Sequence, residues 1–556
     1  MSAILYADGY KMFHPKAMHK SIEAIYENFT SRSGKLSNIP NSLCGDRVVC
    51  VGMQRFLMSH FVERWNQTFF MLDKSNAIRQ AKRILDAYFS SDYDMTKFEE
   101  LHDLGYLPIR VKSLEEGTLV PYGVPMFTMT NTVNGFGWLV GTQETIVSTE
   151  NWPLQTSATT ATAYMVQTKS AMQSTGMDLA MLPFMNHDFQ FRGNFGQEAA
   201  KLSGLGHLMA GHAGTDTLVA LLDAEKYYGA DVETELVGCS VPATEHAIAT
   251  SWMAIYAKEN DCDLFDAEIA FMNHLMDIVP EGIVSHVSDS YDFWRIVEEG
   301  LPLLKDRIMQ RKGTFVIRPD SGDPVKVLTG YRVVELDHID DIGVHWNDGY
   351  EAGRYEGKTY EIELYVSCGV SCARRGRELC EAEVKGLIQC LWETFGGTWT
   401  DVKRSDRGGN TTEHYKLLHD TIGAIYGDAI TLDRQAEINE RLKDKHFCPS
   451  MVLGIGSYSY QYATRDTHGS AIKATCAFVE GGKQVDFGKD PKTDPNKKSA
   501  KGLLRVDYDD QGVLTLFQNQ TPEQEQQGLL RVVFEDGKLY NKTTLRDIRA
   551  KIASQI

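Results

Sequence analysis

The feature that most constrains this 556-residue chain is a rhythm repeated between roughly residues 180 and 465. Short apolar or β-branched runs end in small and polar residues and lead into helical segments. "ELVGCSVPATEH" precedes "AIATSWMAIYAKE", "GIVSHVSDSYD" precedes "FWRIVEEGLPLL" and "GTFVIRPDSGDP" precedes "VKVL". Further on, "IGAIYGDAITLDR" precedes "QAEINERLKDK", and "PSMVLGIGSYSY" continues towards "QYATRD". Strand, polar loop and helix in succession mark βα units, because parallel strands need crossover connections. The expected fold is α/β with a central (β/α) barrel-like domain, whose loops after the strands converge on one face. An open sheet would line a crevice with the same loops. Either way, the polar residues at the strand ends meet.

The two ends of the chain read differently. The first 145 or so residues mix a helical "RQAKRILDAYF" with the β-rich "LPIRVKSLEEGTLVPYGVPMFTMTNT". The last 90 or so hold "GLLRVDYDDQGVLTLFQN" and "GLLRVVFEDGKLYN", β segments with Asp-Gly-type turns, then a helical "TTLRDIRAKIAS". A second α+β domain built from both termini, 1–145 with 466–556, is expected around a catalytic domain at 146–465. From about 333 to 413 the βα rhythm breaks, and this stretch reads as an inserted small α/β subdomain. Its Cys368, Cys372, Cys380 and Cys390 raise the possibility of a metal site. Their spacings do not fit C-x2-C knuckles, and reduced thiols are the alternative.

Charge narrows the partners. With 57 Lys and Arg against 75 Asp and Glu, the net charge of −18 opposes nucleic acid and anionic membrane. A polyanion must therefore bind in a local basic pocket. The N-terminus "MSAILYADGYKMFHPK" carries no signal-peptide pattern, and no window approaches the ~18 apolar residues of a membrane span. Ten cysteines without regular pairing fit a reduced, cytoplasmic setting.

The strand-end loops are rich in groups suited to a phosphorylated sugar and a flat ring. "HDFQFRGNFG" supplies His187, Asp188, Phe189 and Arg192, and "HAGTDT" supplies Asp216. "SDSYD" supplies Ser288, Asp289 and Asp292, and "RPDSG" supplies Arg318 and Asp320. "YGDAI" gives Gly427 and Asp428, and "GIGSYS" gives Gly454, Gly456 and Ser457. Carboxylates accept two hydrogen bonds from a vicinal diol, small residues let backbone N–H groups approach a phosphate, and arginine supplies a forked charge. Phe beside Arg suits a stacked, oriented ring. Further on, Arg465, Lys473, Lys489, Lys497, Lys498 and Lys501 form a basic cluster in an acidic protein. It reads either as a solvated surface loop or as an anion groove for pyrophosphate or triphosphate. "GCSVPATEH" delivers Glu245 and His246 from a proline turn into a helix, where spacing alone allows a satisfied core histidine as readily as a catalyst.

Together these motifs carry a resemblance. "DGYK", "HDF..RG", "GTDT", "GCSVPATEH", "VSDSYD", "IRPDSG", "GD", "TRD" and "KDP..DPNK.S.KG" stand in the order found in the nicotinamide phosphoribosyltransferase family, a type II phosphoribosyltransferase group related to nicotinate phosphoribosyltransferase. The resemblance runs from about residue 6 to 550, interrupted mainly at 333–413. It implies transfer of phosphoribose from phosphoribosyl pyrophosphate to nicotinamide, giving nicotinamide mononucleotide and pyrophosphate, in a homodimer with shared active sites. The ring would stack between Phe189 and Tyr10 of the other subunit. Asp216 would accept from the carboxamide, with Arg192, Arg318, Ser240, Val241 and Ser288 lining the base pocket. Asp320, Gly427 and Asp428 would hold ribose hydroxyls. Gly456, Ser457, Arg465 and Lys473 would meet the 5′-phosphate, and Arg32, Lys489 and Lys497 the pyrophosphate. The resemblance makes His246 a histidine phosphorylated by ATP, with Asp292 as its carboxylate partner, and Mg2+ is expected with the phosphates.

Two motifs depart from the family pattern. "GIGSYSY" is bulkier than its Gly-rich counterpart, and Gln190 and Phe191 replace a Gly and a Tyr. Nicotinate phosphoribosyltransferase activity, a non-catalytic binding protein on the same scaffold and an unrelated phosphate-binding barrel are the rival readings. Asp216 discriminates against the first, the retained reactive groups against the second, and the lack of a strand-end Schiff-base lysine against the third.

Overall fold

The computed structural model describes residues 2–406, 409–427, 429–489, 492–493 and 498–556; of 41–42, 405–406 and 409–410 it describes the backbone only. Asp428 and Lys497 lie outside the described residues. The expected βα rhythm forms a five-stranded parallel sheet, ordered Asn186–Asp188, Val452–Ile455, Ile422–Tyr426, Phe315–Arg318 and Val284–Val287. Single bridges close this sheet into a ring: Asp188 to Thr215, Gly214 to Cys239 and Ala243 to Ser285, all parallel. "GCSVPATEH" thus spans two bridge points of the barrel wall and is not a regular strand. Pro242 cannot donate to a ladder, although its carbonyl accepts the Ser285 N–H at 2.9 Å.

Between the ring and its surrounding helices, β-branched and aromatic residues such as Val284, Phe315, Ile317, Ile422 and Ile455 pack with Phe271, Leu304 and Leu387 into one buried cluster. At one step the ring tolerates only glycine. A Cβ on Gly454 would lie 1.4 Å from the Gly427 carbonyl oxygen, so adjacent backbones meet there without side chains between them.

Both chain ends feed a seven-stranded antiparallel sheet, ordered Lys483–Asp486, Ala471–Val479, Ile22–Thr30, Pro125–Asn131, Ile109–Ser113, Arg531–Glu535 and Lys538–Leu539. Its last hairpin turns at Asp536-Gly537, both with positive φ, as a tight two-residue turn requires. The fold is therefore α/β, a barrel-like ring beside an α+β layer drawn from both termini. A single helix, Gly137–Ser174, runs through the position expected to divide the two. Half-buried Arg549, on the C-terminal helix Leu545–Ala553, donates to the carbonyls of Leu208, His212, Leu236 and Val237, tying that helix to the wall segment before Gly238.

The stretch 333–413 is mostly β. It holds a four-stranded sheet ordered Val370–Leu379, Lys358–Ser367, Ala352–Tyr355 and Val333–Glu335, and a hairpin of Gly397–Asp406 with Gly409–Leu418. Its helix Leu387–Phe395 does not stand apart, because Leu387, Ile388, Leu391 and Phe395 join the barrel's own apolar cluster. Among the described residues no group of three or more His, Cys, Asp or Glu is placed to hold a metal ion. Cys380 instead caps the helix Glu381–Lys385, and Cys390 Sγ meets the Ala382 carbonyl. No helix among the described residues is long and apolar enough to cross a membrane.

Candidate active site

The ring carries its chemistry on the residues just past each strand. Asp216 follows the Thr215 bridge point, and its amide donates to the Asp188 carbonyl at 2.9 Å. Its Oδ1 accepts from His187 Nε2 at 2.9 Å and from the Ser240 hydroxyl at 2.8 Å. Burial alone would raise this carboxyl. The hydrogen bond and charge of His187, the Ser240 hydroxyl and the Arg318 guanidinium outweigh it and hold Asp216 below the usual carboxylate range. The side chain is still 49% exposed, so an ionised carboxylate with a fixed orientation faces the opening.

Beside it, the Phe189 ring lies 4.5 Å from the His187 ring, and the Arg318 guanidinium stands 5.3 Å from the Phe189 centroid. Arg318 donates to Asp320 Oδ1 at 3.1 Å, while its Nε is buried with no partner among the described residues. A buried unpartnered donor is costly, and an acceptor on a bound molecule would relieve it. Asp320 and Gly427 come together as expected: a Cβ on Gly427 would fall 1.7 Å from Asp320 Oδ1, so the carboxylate occupies the space a side chain would fill.

His246 is the first residue of the helix His246–Asn260, and the capping residue Glu245 makes no side-chain cap bond. The first-turn amides of a helix lack intrahelical partners, and the dipole there favours negative charge. His246 Nε2 sits 3.1 Å from Asp289 Oδ1. This corrects the expectation of Asp292. The Asp292 side chain accepts the Arg295 amide at 3.1 Å and caps the next helical turn, work that suits a short carboxylate one residue before a helix. A second correction concerns Ser288, which is fully buried and donates its hydroxyl to the His286 carbonyl at 3.0 Å. It therefore lies beneath the opening and does not line it, because a buried hydroxyl takes the nearest acceptor.

The remaining candidates fall around this core. Ser240 is exposed and Val241 half-buried on the wall segment. Arg192 is exposed on the turn Phe191–Gly193, and the Ser457 side chain fills the space left by Gly193, where a Cβ would meet Ser457 Oγ at 1.9 Å. Gly456 is buried and caps the helix Ser457–Gln461. Tyr10 is 65% exposed, and its ring neighbours are His14 and Lys11. Among the basic candidates, Arg465 is exposed in the connection leading to the strand Ala471–Val479, which carries Lys473. Burial, together with the charges of Arg32 and Lys489, holds the Lys473 ammonium below the usual lysine range, against the pull of Glu144 and Glu27. Arg32 and Lys489 therefore act on Lys473 as like charges, an arrangement a polyanion would relieve. The 333–413 stretch also reaches this side of the barrel. A cavity of about 480 Å³ is lined by Asp289, Asp292 and Ser321 from the loops and by Glu361, Arg377 and Glu383 from the insertion.

A model of the nicotinate phosphoribosyltransferase (NAPRTase) family matches residues 184–538. A curated relative from Acinetobacter baylyi, named nicotinamide phosphoribosyltransferase, is 38% identical over 99% of this chain and 96% of its own. The chain belongs to the nicotinate phosphoribosyltransferase family. A second curated relative named nicotinamide phosphoribosyltransferase, from Xanthomonas campestris pv. campestris, is 29% identical over 80% of this chain and 79% of its own. The crystal structure of human nicotinic acid phosphoribosyltransferase covers 99% of this chain and 93% of its own at 14% identity, with a TM-score of 0.49, too distant to transfer residue roles.

Two groups of this site were gathered from the sequence without a role. His187 orients Asp216 and Asp289 holds His246, and both stand in motifs already singled out. Strand-end position marked them as candidates, but only the folded geometry assigns the partnerships.

Proposed function

We propose that this chain is a nicotinamide phosphoribosyltransferase, forming nicotinamide mononucleotide and pyrophosphate from nicotinamide and phosphoribosyl pyrophosphate in NAD salvage. The observation that carries this reading is Asp216, a half-exposed carboxylate held ionised by His187 and Ser240 beside the Phe189–Arg318 platform. It accepts from a carboxamide NH2 and repels the carboxylate of nicotinate, so the amide is selected by attraction and the acid rejected by repulsion. With the ring held on Phe189, its nitrogen faces the anomeric carbon. The C–N bond forms as the bond to pyrophosphate breaks, through a cation-like ribose centre. Positioning and stabilisation of the leaving anion then supply the catalysis.

Arg32, Lys473 and Lys489 receive the phosphates in this reading. Mg2+ would arrive with them, and Asp320 offers the oxygen donor that such a hard cation takes. ATP phosphorylates His246: Asp289 holds Nε2, which leaves Nδ1 as the nucleophile, and the phosphate gains from the helix N-terminus. The exposed Tyr10 serves the site of a second subunit in a homodimer. Cytoplasmic location and the division into 1–145 with 466–556 and 146–465 belong to the same proposal.

The test is mononucleotide formation from phosphoribosyl pyrophosphate and Mg2+ with nicotinamide or nicotinate, with and without ATP. Product from nicotinamide in preference to nicotinate is expected, with stimulation by ATP that His246→Ala abolishes. Product from neither base ends the reading. Equal use of both bases ends the specificity argument, and ATP stimulation surviving in His246→Ala ends the phosphohistidine assignment.

A further inference from the structure

Behind His246 lies a second group of chemistry-bearing side chains that the reaction above does not use. Glu268, on the helix Leu264–Ile278, and His286, on the strand Val284–Val287, are buried, with side chains 2% and 0% exposed. Glu268 Oε1 lies 3.2 Å from His286 Nε2, and His286 Nδ1 lies 3.2 Å from Thr244 Oγ1. The same threonine oxygen accepts the Val287 amide at 3.0 Å. The imidazole is thus bonded through both ring nitrogens, to a buried carboxyl group on one side and to a hydroxyl on the other. The Phe271 ring stands edge-on to the imidazole at 5.4 Å.

The place of this chain of bonds gives it a role. Backbone pairing fixes the barrel wall as far as Thr244, where Ser285 N–H donates to Pro242 and Thr244 N–H donates to the Ser285 carbonyl at 3.1 Å. Beyond that point the ladder ends: Glu245 is the extended helix cap, with φ −122° and ψ 166°, and makes no side-chain cap bond, while its carbonyl accepts the Ala249 amide at 3.0 Å. The Thr244 side chain is therefore the last anchor before His246, two residues on. We propose that Glu268, His286 and Thr244 are positioning residues that hold His246 against Asp289. A buried imidazole bonded through both nitrogens cannot turn without losing a bond on each side, which makes the anchor stiff. Unlike a histidine that only fills the core, this one reaches the segment that carries the reactive group.

The inference rests on His246 being the reactive histidine, and its test is separate from that reading. His246 is 46% exposed, so its modification by diethyl pyrocarbonate can be followed by peptide mass spectrometry in the full-length protein. Wild type, Thr244→Val, Thr244→Ala and Thr244→Ser are compared, with thermal melts to confirm folding. Without the hydroxyl, His246 leaves Asp289 more often and is modified about threefold faster or more, the scale of one lost hydrogen bond. Thr244→Ser keeps the hydroxyl and stays near the wild-type rate. Folded Val and Ala variants that react at the wild-type rate overturn the proposal, as does a Ser variant that reacts like Val. Failure of both hydroxyl-less variants to fold also overturns it, since the anchor would then serve the fold and not His246. Loss of the phosphohistidine assignment, read from His246→Ala with ATP, leaves this outcome unchanged.

Discussion

The two ends of the candidate site solve opposite problems. At the base end, Asp216 is bonded by His187 and Ser240, and Arg318 is bonded by Asp320, so each charge has a partner before any ligand arrives and only the Arg318 Nε–H is left without one among the described residues. At the phosphate end, burial makes it costly to keep Lys473 charged, and the like charges of Arg32 and Lys489 add to that cost. The first end is organised to choose, and rigid partners give it a fixed question to ask of each ring. The second is organised to be completed, because a cluster of cations gains most when a polyanion enters it.

The largest effect that can break this contrast lies at the base end. Asp216→Asn keeps the shape and removes the charge. Nicotinamide kcat/KM is expected to fall about thirtyfold, on the scale of one hydrogen bond to a charged group. Use of nicotinate should rise relative to nicotinamide, since the repulsion is gone. Competition between the two bases for limiting phosphoribosyl pyrophosphate measures both. An unchanged ratio would show that the choice is made elsewhere.

At the phosphate end the signature should reverse. Lys473→Met removes one member of a self-repelling cluster, so the unliganded protein should melt no lower than wild type. The KM for phosphoribosyl pyrophosphate should nevertheless rise about tenfold, the worth of one charge-assisted contact. The linkage sign agrees: a lysine lowered on folding binds fewer protons folded than unfolded, so its stability penalty is present at neutral pH and fades as pH rises towards the ordinary lysine value. Thermal melting with and without pyrophosphate separates the two roles. Stabilisation by pyrophosphate should shrink in the variant. A variant that melts well below wild type would mean that Lys473 supports the fold and is not kept for an anion.

The same contrast explains how much was legible in the chain. The barrel was readable because every parallel strand needs an apolar run, a polar loop and a crossover, and four of the five units read from the sequence are strands of the sheet. Its closure was less so, because the wall at Cys239 and Ala243, which reads as a strand in the sequence, is made of single bridges around Pro242. Strand-end position was enough to gather Phe189, Asp216, Arg318 and Asp320. It could not decide between Asp289 and Asp292, which stand three apart in one motif. That choice depends on the helix starting at Phe293, in which the Arg295 amide claims Asp292 as a cap and leaves Asp289 for His246. Ser288 failed for a related reason, because strand alternation and burial decide which way a hydroxyl turns.

The smallest expected effect connects the two chain ends under the phosphate cluster. Glu27 lies on the strand Ile22–Thr30, where it pairs with Ala474, and one of its carboxyl oxygens is buried without a partner among the described residues. Burial pushes its carboxyl up to about 7, helped by Glu144 and opposed by Lys11 and Lys473. Folded, Glu27 keeps its proton well above the ordinary value of 4.5, so between those values the folded state binds more protons than the unfolded chain. Its contribution is full below 4.5 and is lost as pH rises through about 7. Glu27→Gln cannot titrate, so wild type should lose about 2 °C in Tm relative to the variant as pH rises across that window. Parallel melting curves across the whole range would mean that Glu27 is ionised when folded, with Lys473 or Lys11 closer to it than to the phosphates. If the curves diverge, the KM for phosphoribosyl pyrophosphate should follow. Ionised Glu27 offsets the Lys473 charge, so raising the pH should weaken binding more in wild type than in Glu27→Gln, while the choice between bases at Asp216 stays the same.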